Sequence, residues 1–385
     1  MSSGTMERIL RLMAEKKASD VYLTSYAPAM IKIHGQTIPI NSQVLPLDAP
    51  RNLLSEIVSP TRMEELVETG ELNMGVTLDG LGNFRISAFR QRATYSVVIR
   101  FVPSNIPRLN DINVSPILAD LVMEKRGLIL MVGSTGAGKS TTLAAMLDHR
   151  NENATGHILT IEDPIEYTYA NKKSVVNQRE IGSDTASLQV ALKNALRQAP
   201  DVILIGEIRD RDTMSAAIAY AQSGHLCLAT LHANNSYHAL NRILSFYPAE
   251  VRPTLLSDLS SALRAVVSQR LLRTETGSRV PAMEVMLNTA LVADLVHKGD
   301  FGGVREAMEK SLAEGSQTFE QDIARLIHEG IVSRAEGLSH ADSPNNLLWR
   351  LQNDFEASRA GDLHVDTQED EDQATFTEFT LDVKF

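Results

Sequence analysis

The sequence predicts an α/β protein in two parts: a small mixed domain of strands and helices, then a larger domain on a parallel sheet with a helical C-terminal region. Three observations carry that prediction. The first hundred residues hold short runs that alternate apolar and polar side chains between turn residues, the period expected of half-buried strands. The later runs "GLILMVG", "HILTIED", "DVILIGE" and "HLCLATLH" are continuously apolar, and each is followed by a helix-length segment, as in strands covered on both faces. The first of these runs opens into "GSTGAGKST", a glycine-rich turn that enters a helix.

In chain order, Ile9, Leu10 and Met13 have helical spacing, and "ASDVYLT" and "AMIKIHGQTIPI" then alternate as strands with a turn at Gly35 and Gln36. A helical segment near 51–69 follows. "NMGVTLDGLGNFRISAFRQRATYSVVIRFV" reads as three antiparallel strands turning at Asp79 to Asn83. Pro103, Pro107 and Pro116 lie in a stretch without periodicity, which places a linker at 103–116 between a first domain, 1–102, and a second, 117–355. Beyond about residue 250 the chain reads as mainly helical, apart from a strand at "RVPAMEVM". Residues 356–385 read as an acidic, disordered tail, with too little apolar surface to offset the entropy of ordering.

Of 385 residues, 43% are hydrophobic and 22% charged, a globular composition, and no apolar run approaches the roughly 18 residues that would span a bilayer. With no leader-like start, this predicts a cytoplasmic protein. The single cysteine, Cys227, excludes a disulfide framework and a multi-cysteine zinc site. The net charge of -11 is concentrated in the last residues: from Asp354 onward, ten acidic residues face Arg359 and Lys384, a net of -8 that leaves -3 for the rest. A nearly neutral body gives no sign of a nucleic-acid surface, so no nucleic-acid partner is expected.

The glycine-rich turn satisfies G-x-x-x-x-G-K-S/T, and the preceding strand and following helix are the context the motif demands. Gly133, Ser134, Thr135, Gly136, Ala137, Gly138, Lys139, Ser140 and Thr141 would cradle the phosphates of ATP. Lys139 would neutralise the β- and γ-phosphates, and the Ser140 hydroxyl would bind Mg²⁺. Strand-end carboxylates supply the acidic side: Glu162, Asp163 and Glu166 in "TIEDPIEY", and Glu207 in "LIGEIRD", where Gly206 replaces the usual aspartate. Glu207 suits a general base or water-positioning group, and the acidic box suits the organisation of a metal's water shell. A solvated or helix-capping acid is the alternative for each carboxylate. His225 and His232 flank one apolar run; His232 at its carboxyl end is the better γ-phosphate sensor, and either also fits a hydrogen-bonded structural histidine. Arg85, Arg90, Arg92 and Arg100 could supply positive charge from another domain or subunit, or form a solvent-facing set.

The phosphate loop at 133–141, "TIEDPIEY", "GEIRD" and "HLCLATLHANN", in this order, resemble the secretion-type ATPases, and among them the PilT/PilU retraction motors of type IV pili. The resemblance implies a PAS-like N-terminal domain, a RecA-like P-loop ATPase domain, and a homo-hexameric ring that hydrolyses ATP with Mg²⁺ to drive pilus retraction and twitching motility. It also implies a peripheral place at the inner membrane, with a PilT-like motor subunit and the pilus platform protein as partners. It carries catalytic character onto Glu207, acidic-box roles onto Glu162, Asp163 and Glu166, histidine-box roles onto His225 and His232, and trans-acting roles onto Arg85 and Arg100. Extension and secretion ATPases commonly carry a further N-terminal domain and often a four-cysteine motif, so the short region before the linker and the one cysteine favour retraction. Residues 291–296 read Leu-Val-Ala-Asp-Leu-Val where PilT has Ala-Ile-Arg-Asn-Leu-Ile. With Ala293 in the arginine's place and an acidic extension, the PilU branch matches better. A nucleotide-binding subunit of a PilT-like motor with little turnover of its own is the competing expectation.

Overall fold

The computed structural model describes residues 4–361 apart from positions 17, 34–35, 79–80, 103–104 and 311–312. Helix α1 (Thr5–Glu15) buries Met6, Leu10 and Met13, one stripe at helical spacing. It covers a sheet built from β1 (Asp20–Thr24), β2 (Pro28–Ile33) and β3 (Gln36–Val44), then, after helices α2 (Ala49–Ser55) and α3 (Pro60–Thr69), from β4 (Glu71–Leu78), β5 (Gly82–Gln91) and β6 (Thr94–Val102). The order is β3-β2-β1-β6-β5-β4, antiparallel throughout. The helical segment expected at 51–69 is two helices: the first ends at Ser55, and Ser59, extended ahead of Pro60, lets that proline open the second. On β5, Phe84, Ile86 and Ala88 point into the core, so Arg85 stands on the other face, opposite Arg100 of β6.

The second sheet begins after α4 (Ile117–Met123) with β7 (Gly127–Val132). The chain continues through α5 (Lys139–Asn153), β8 (Gly156–Glu162), β9 (Ser174–Glu180), α6 (Leu188–Ala195), β10 (Val202–Ile205), α7 (Arg211–Gln222), β11 (Leu226–Leu231), α8 (Ser236–Ser245) and α9 (Arg252–Ala262). Strands β12 (Leu263–Arg273) and β13 (Arg279–Leu287) precede helices α10 (Ala290–Lys298), α11 (Phe301–Glu309), α12 (Phe319–His328), α13 (Arg334–His340) and α14 (Pro344–Gly361). The strand order is β13-β12-β7-β11-β10-β8-β9, and only β12 and β13 pair antiparallel. This is the expected α/β architecture. The apolar run of β7 divides between two cores: Leu128, Leu130 and Val132 face one, Ile129 and Met131 the other. Each such buried side chain contributes roughly 1.5–3 kcal/mol over exposure.

Two strands differ from the sequence reading. β9 is an edge strand with an alternating pattern, so it lacks a continuous apolar run. β12 lies in a region expected to be helical: α9 passes into it at Leu263 with no Gly or Pro between, and only Val266 and Val267 hint at a strand. Residues from 362 onward, most of the expected acidic tail, lie outside the described residues, while α14 takes in 356–361. Among the described residues no helix is long and apolar enough to cross a membrane.

Candidate active site

Because β7, β8, β10 and β11 run parallel, their carboxyl ends open on one edge of the sheet. There a cleft of about 480 Å³ is lined by Lys139, Ser140, Glu162, Glu166, Glu207 and His232, among others. One wall is the loop between β7 and α5. Gly136 and Gly138 have φ of 80° and 85°, in the left-handed region that favours glycine. At Gly138 a Cβ would also fall 2.7 Å from Gln269 Nε2. Gly138 is the N-cap of α5 and no side chain caps it, so the first-turn N–H groups of a 15-residue helix face the cleft without an intrahelical acceptor. This suits an anion. The Lys139 Nζ donates to the carbonyls of Gly133 at 2.7 Å and Ser134 at 2.9 Å, which holds the ammonium at the loop. Burial lowers its pKa, and the charges of Glu207 and Glu166 oppose that shift.

The other wall is acidic. The Glu207 Oε2 accepts from Arg209 at 2.7 Å, and His232 Nε2 lies 3.2 Å from its Oε1, so both carboxylate oxygens are engaged. Arg209 also stands 3.9 Å from Asp163. At Gly206 a Cβ would come 3.1 Å from the Ile161 carbonyl, a close approach to β8 that accounts for glycine where an aspartate is usual. Glu162 accepts from Thr160 at 2.6 Å and from Gln178 at 3.2 Å; burial raises its pKa despite these hydrogen bonds. Glu166 is exposed and its carboxylate has no hydrogen-bond partner among the described residues. Thr141 turns to the hydroxyl of Tyr167, 2.9 Å away, and so ties the phosphate loop to the acidic box.

The arginines separate. Arg85 approaches the acidic box of its own chain: burial lowers its pKa, Glu166 is the strongest opposing charge, and Glu180 and Asp163 add to it. Its Nε is buried without a partner. Arg100 instead pairs with the buried carboxylate of Asp20 at 2.9 Å. Arg90 and Arg92 lie toward the β5–β6 turn, Arg92 within it. His225 is not brought to the cleft: it precedes β11, where its carbonyl accepts from Gly127 at the amino end of β7. A six-residue strand at about 3.3 Å per residue puts it roughly 20 Å from His232.

Sequence reasoning missed three supporting groups. Gln269 of β12 donates to the Ala137 carbonyl at 2.7 Å and accepts from Thr142 at 2.8 Å, bracing the phosphate loop from behind. Glu180 accepts from the N–H of Ile165 at 3.1 Å and holds the acidic box. Arg209 locks Glu207. A polar residue inside an apolar strand was the available signal for Gln269, and it was hidden by the helical reading of that strand.

With this geometry in place, relatives can be compared. Residues 4–333 match the family described as "Type II/IV secretion system protein". The chain is 45% identical to the type IV pilus ATPase PilU of Pseudomonas aeruginosa, covering 90% of this chain and 91% of that one. It is 35% identical to PilT of the same organism over 88% and 98% of the two chains. The crystal structure of the pilus retraction motor PilT with bound ADP superposes with a TM-score of 0.84 at 34% identity, covering 90% of this chain and 99% of that one. The chain belongs to the PilT/PilU family of type IV pilus ATPases. Within this ATPase family its sequence lies nearer PilU than PilT by the identities above, in agreement with the departure at Leu291 to Val296.

Proposed function

We propose that this chain hydrolyses ATP as a subunit of a hexameric ring and converts that hydrolysis into type IV pilus retraction at the cytoplasmic face of the inner membrane. A pilus platform protein would be the load. The observation that carries the reading is one cleft that sets an uncapped helix N-terminus and Lys139 against Glu207, His232 and Glu166. Lys139 and the first-turn N–H groups of α5 bind the β- and γ-phosphates, and His232 and Glu207 face the terminal phosphate from the far wall. Glu166, uncommitted by hydrogen bonds, is placed to accept the proton of an attacking water, while Glu207 orients that water through His232.

No cluster of three acidic, histidine or cysteine side chains is arranged to hold a metal among the described residues. Magnesium needs no such cage, because one hydroxyl, phosphate oxygens and water complete its shell; Ser140 would be that hydroxyl. When bound, the ion neutralises charge on the phosphates. Arg85 adds charge from the N-terminal sheet when the two domains close about the linker at 103–116, or from a neighbouring subunit.

The engagement of both Glu207 oxygens favours a second reading, an accessory subunit of low intrinsic turnover that works beside a PilT-like motor. Phosphate release from purified protein, measured with and without Mg²⁺ and with and without a PilT-like partner, separates the two. Mg²⁺-dependent turnover by the protein alone supports the motor; turnover only with the partner supports the accessory subunit; none in either case, with no ATP binding, removes both.

A further inference from the structure

The loop that carries His232 is held from a part of the chain more than a hundred residues away. Asn234 and Asn235 follow His232 after one residue, Ala233. The Arg270 guanidinium donates to the Asn234 carbonyl at 3.2 Å, pairs with Asp342 and donates to the His340 carbonyl, and lies 4.0 Å over the ring of Phe319. Asp342, in the turn between α13 and α14, spends its second oxygen on the Asn235 amide at 2.6 Å. The other end of that amide, Oδ1, caps α8 by accepting from the His238 N–H at 2.9 Å. Beneath them, the buried Glu284 accepts from the Ser236 N–H at 2.7 Å and the Ser268 hydroxyl at 3.1 Å. Asp342 and Arg270 are largely sheltered, with side-chain exposures of 22% and 19%. A charge pair so enclosed, with each partner also hydrogen-bonded to backbone or amide groups, holds a definite geometry that an exposed pair does not.

We infer that Arg270 and Asp342 are positioning residues for the γ-phosphate side of the site: they clamp the 232–235 loop to the C-terminal helices, and so fix His232 against Glu207. The inference rests on the ATPase reading above. His232 is bracketed between β11, which is paired on both edges, and the Asn234 carbonyl held by Arg270, and Ala233 between them packs against the core. The helices α12 to α14, which pack on β12 and β13 through Phe319, Ile323 and Leu347, thereby acquire a hold on the nucleotide cleft. A shift of the α13–α14 turn would withdraw Asp342 from Asn235 and Arg270 together. The phosphate loop, braced by Gln269 instead, would stay in place.

The test uses the full chain, with a PilT-like partner if turnover requires one. Asp342→Ala, Arg270→Ala and the double variant should each bind ATP within about 3-fold of the unaltered protein but lose about 10-fold or more in kcat. The double variant should lose no more than the worse single variant, because the two act as one unit. Asp342→Asn keeps the volume and folds more readily, but its amide cannot accept from both Arg270 and Asn235 as the carboxylate does; it should show a smaller loss in kcat with the same unchanged affinity. Amide hydrogen exchange followed by mass spectrometry should quicken at 232–238 in every variant and stay unchanged at 133–141. This arm reads the clamp without turnover, so a protein that proves to hydrolyse no ATP removes the ATPase reading and leaves the clamp measurable. Normal kcat in the folded Asp342→Ala and Asp342→Asn variants, additive losses in the double variant, or unaltered exchange at 232–238 would each overturn the inference.

Discussion

The two walls of the cleft are built in opposite ways. The phosphate wall comes from one contiguous segment: the glycines at 133, 136 and 138 shape it, Lys139 closes onto its own loop carbonyls, and two distant residues, Gln269 and Tyr167, brace it. The acidic wall is assembled from the ends of β8, β10 and β11, and its side chains are fixed by Gln178, Glu180, Arg209 and, through the 232–235 loop, Arg270. A wall made from one segment binds in much the same way whatever the rest of the molecule does. A wall assembled from many segments registers their relative positions, which is the property a motor needs where chemistry meets movement. Binding should therefore depend on the first wall and turnover on the second.

The largest expected effect tests the first half of that division. Lys139→Ala removes the only side-chain cation in the loop itself, and in a desolvated site its loss leaves the phosphates on that wall to the backbone N–H groups. ATP affinity should fall by about 100-fold or more, and turnover with it. Equilibrium titration with a fluorescent nucleotide checks this. Affinity within a few-fold of the unaltered protein would mean that the acidic wall carries binding as well, and the comparison would collapse.

The same division decides what could be read in the sequence. The phosphate loop was legible entire, because its glycines, lysine and hydroxyl sit at fixed spacing on a strand-to-helix turn. The four apolar strands and their shared edge followed from periodicity, and so did the presence of Glu162, Glu207 and His232 at strand ends. What could not be read were the partners. Gln269, Glu180 and Arg270 brace the walls of the cleft from behind because β9 and β12 flank the predicted strands, one an alternating edge and the other entered directly from a helix. His225 and His232, read as flanking one apolar run and given histidine-box roles by the resemblance, stand at opposite ends of that strand, and of the two His232 lines the cleft. Arg85 and Arg100 are cross-strand neighbours, yet Asp20 claims one and the acidic box attracts the other.

A smaller effect separates the carboxylates of the acidic wall. Glu166→Gln and Glu207→Gln should both leave ATP affinity within about 3-fold while lowering kcat, Glu166→Gln by about 100-fold and Glu207→Gln by about 10-fold. The order follows from their surroundings: Glu166 has no hydrogen-bond partner among the described residues and can take a proton, whereas Glu207 is held by Arg209 and His232 and serves to orient. Single-turnover measurements on both variants resolve it. The reverse order would make Glu207 the base and require Arg209 to swing away before chemistry.

The smallest effect concerns Glu162, the most enclosed member of that wall. Burial raises its pKa above the ordinary 4.5, although Thr160, Gln178 and the Glu166 N–H all favour the ionised form. A carboxyl whose pKa is higher folded than unfolded holds its proton more tightly in the folded state, so its contribution to stability is greatest below the unfolded value and declines as pH rises through the raised one. Glutamine has nearly the same shape and does not titrate. Below about pH 4.5 Glu162→Gln and the unaltered protein should therefore unfold at similar urea concentrations, and the variant should gain as the pH rises toward neutrality, by about 1 kcal/mol or less. Urea midpoints for both proteins from about pH 4, below the unfolded value, to about pH 8 give the difference directly. A gain that is independent of pH would place the titration elsewhere, and a variant that loses stability as pH rises would show that the three donors outweigh burial. In that case Glu162 would be an ionised anchor of the acidic wall, and that wall's dependence on other segments would be carried by Glu180, Arg209 and, through the 232–235 loop, Arg270.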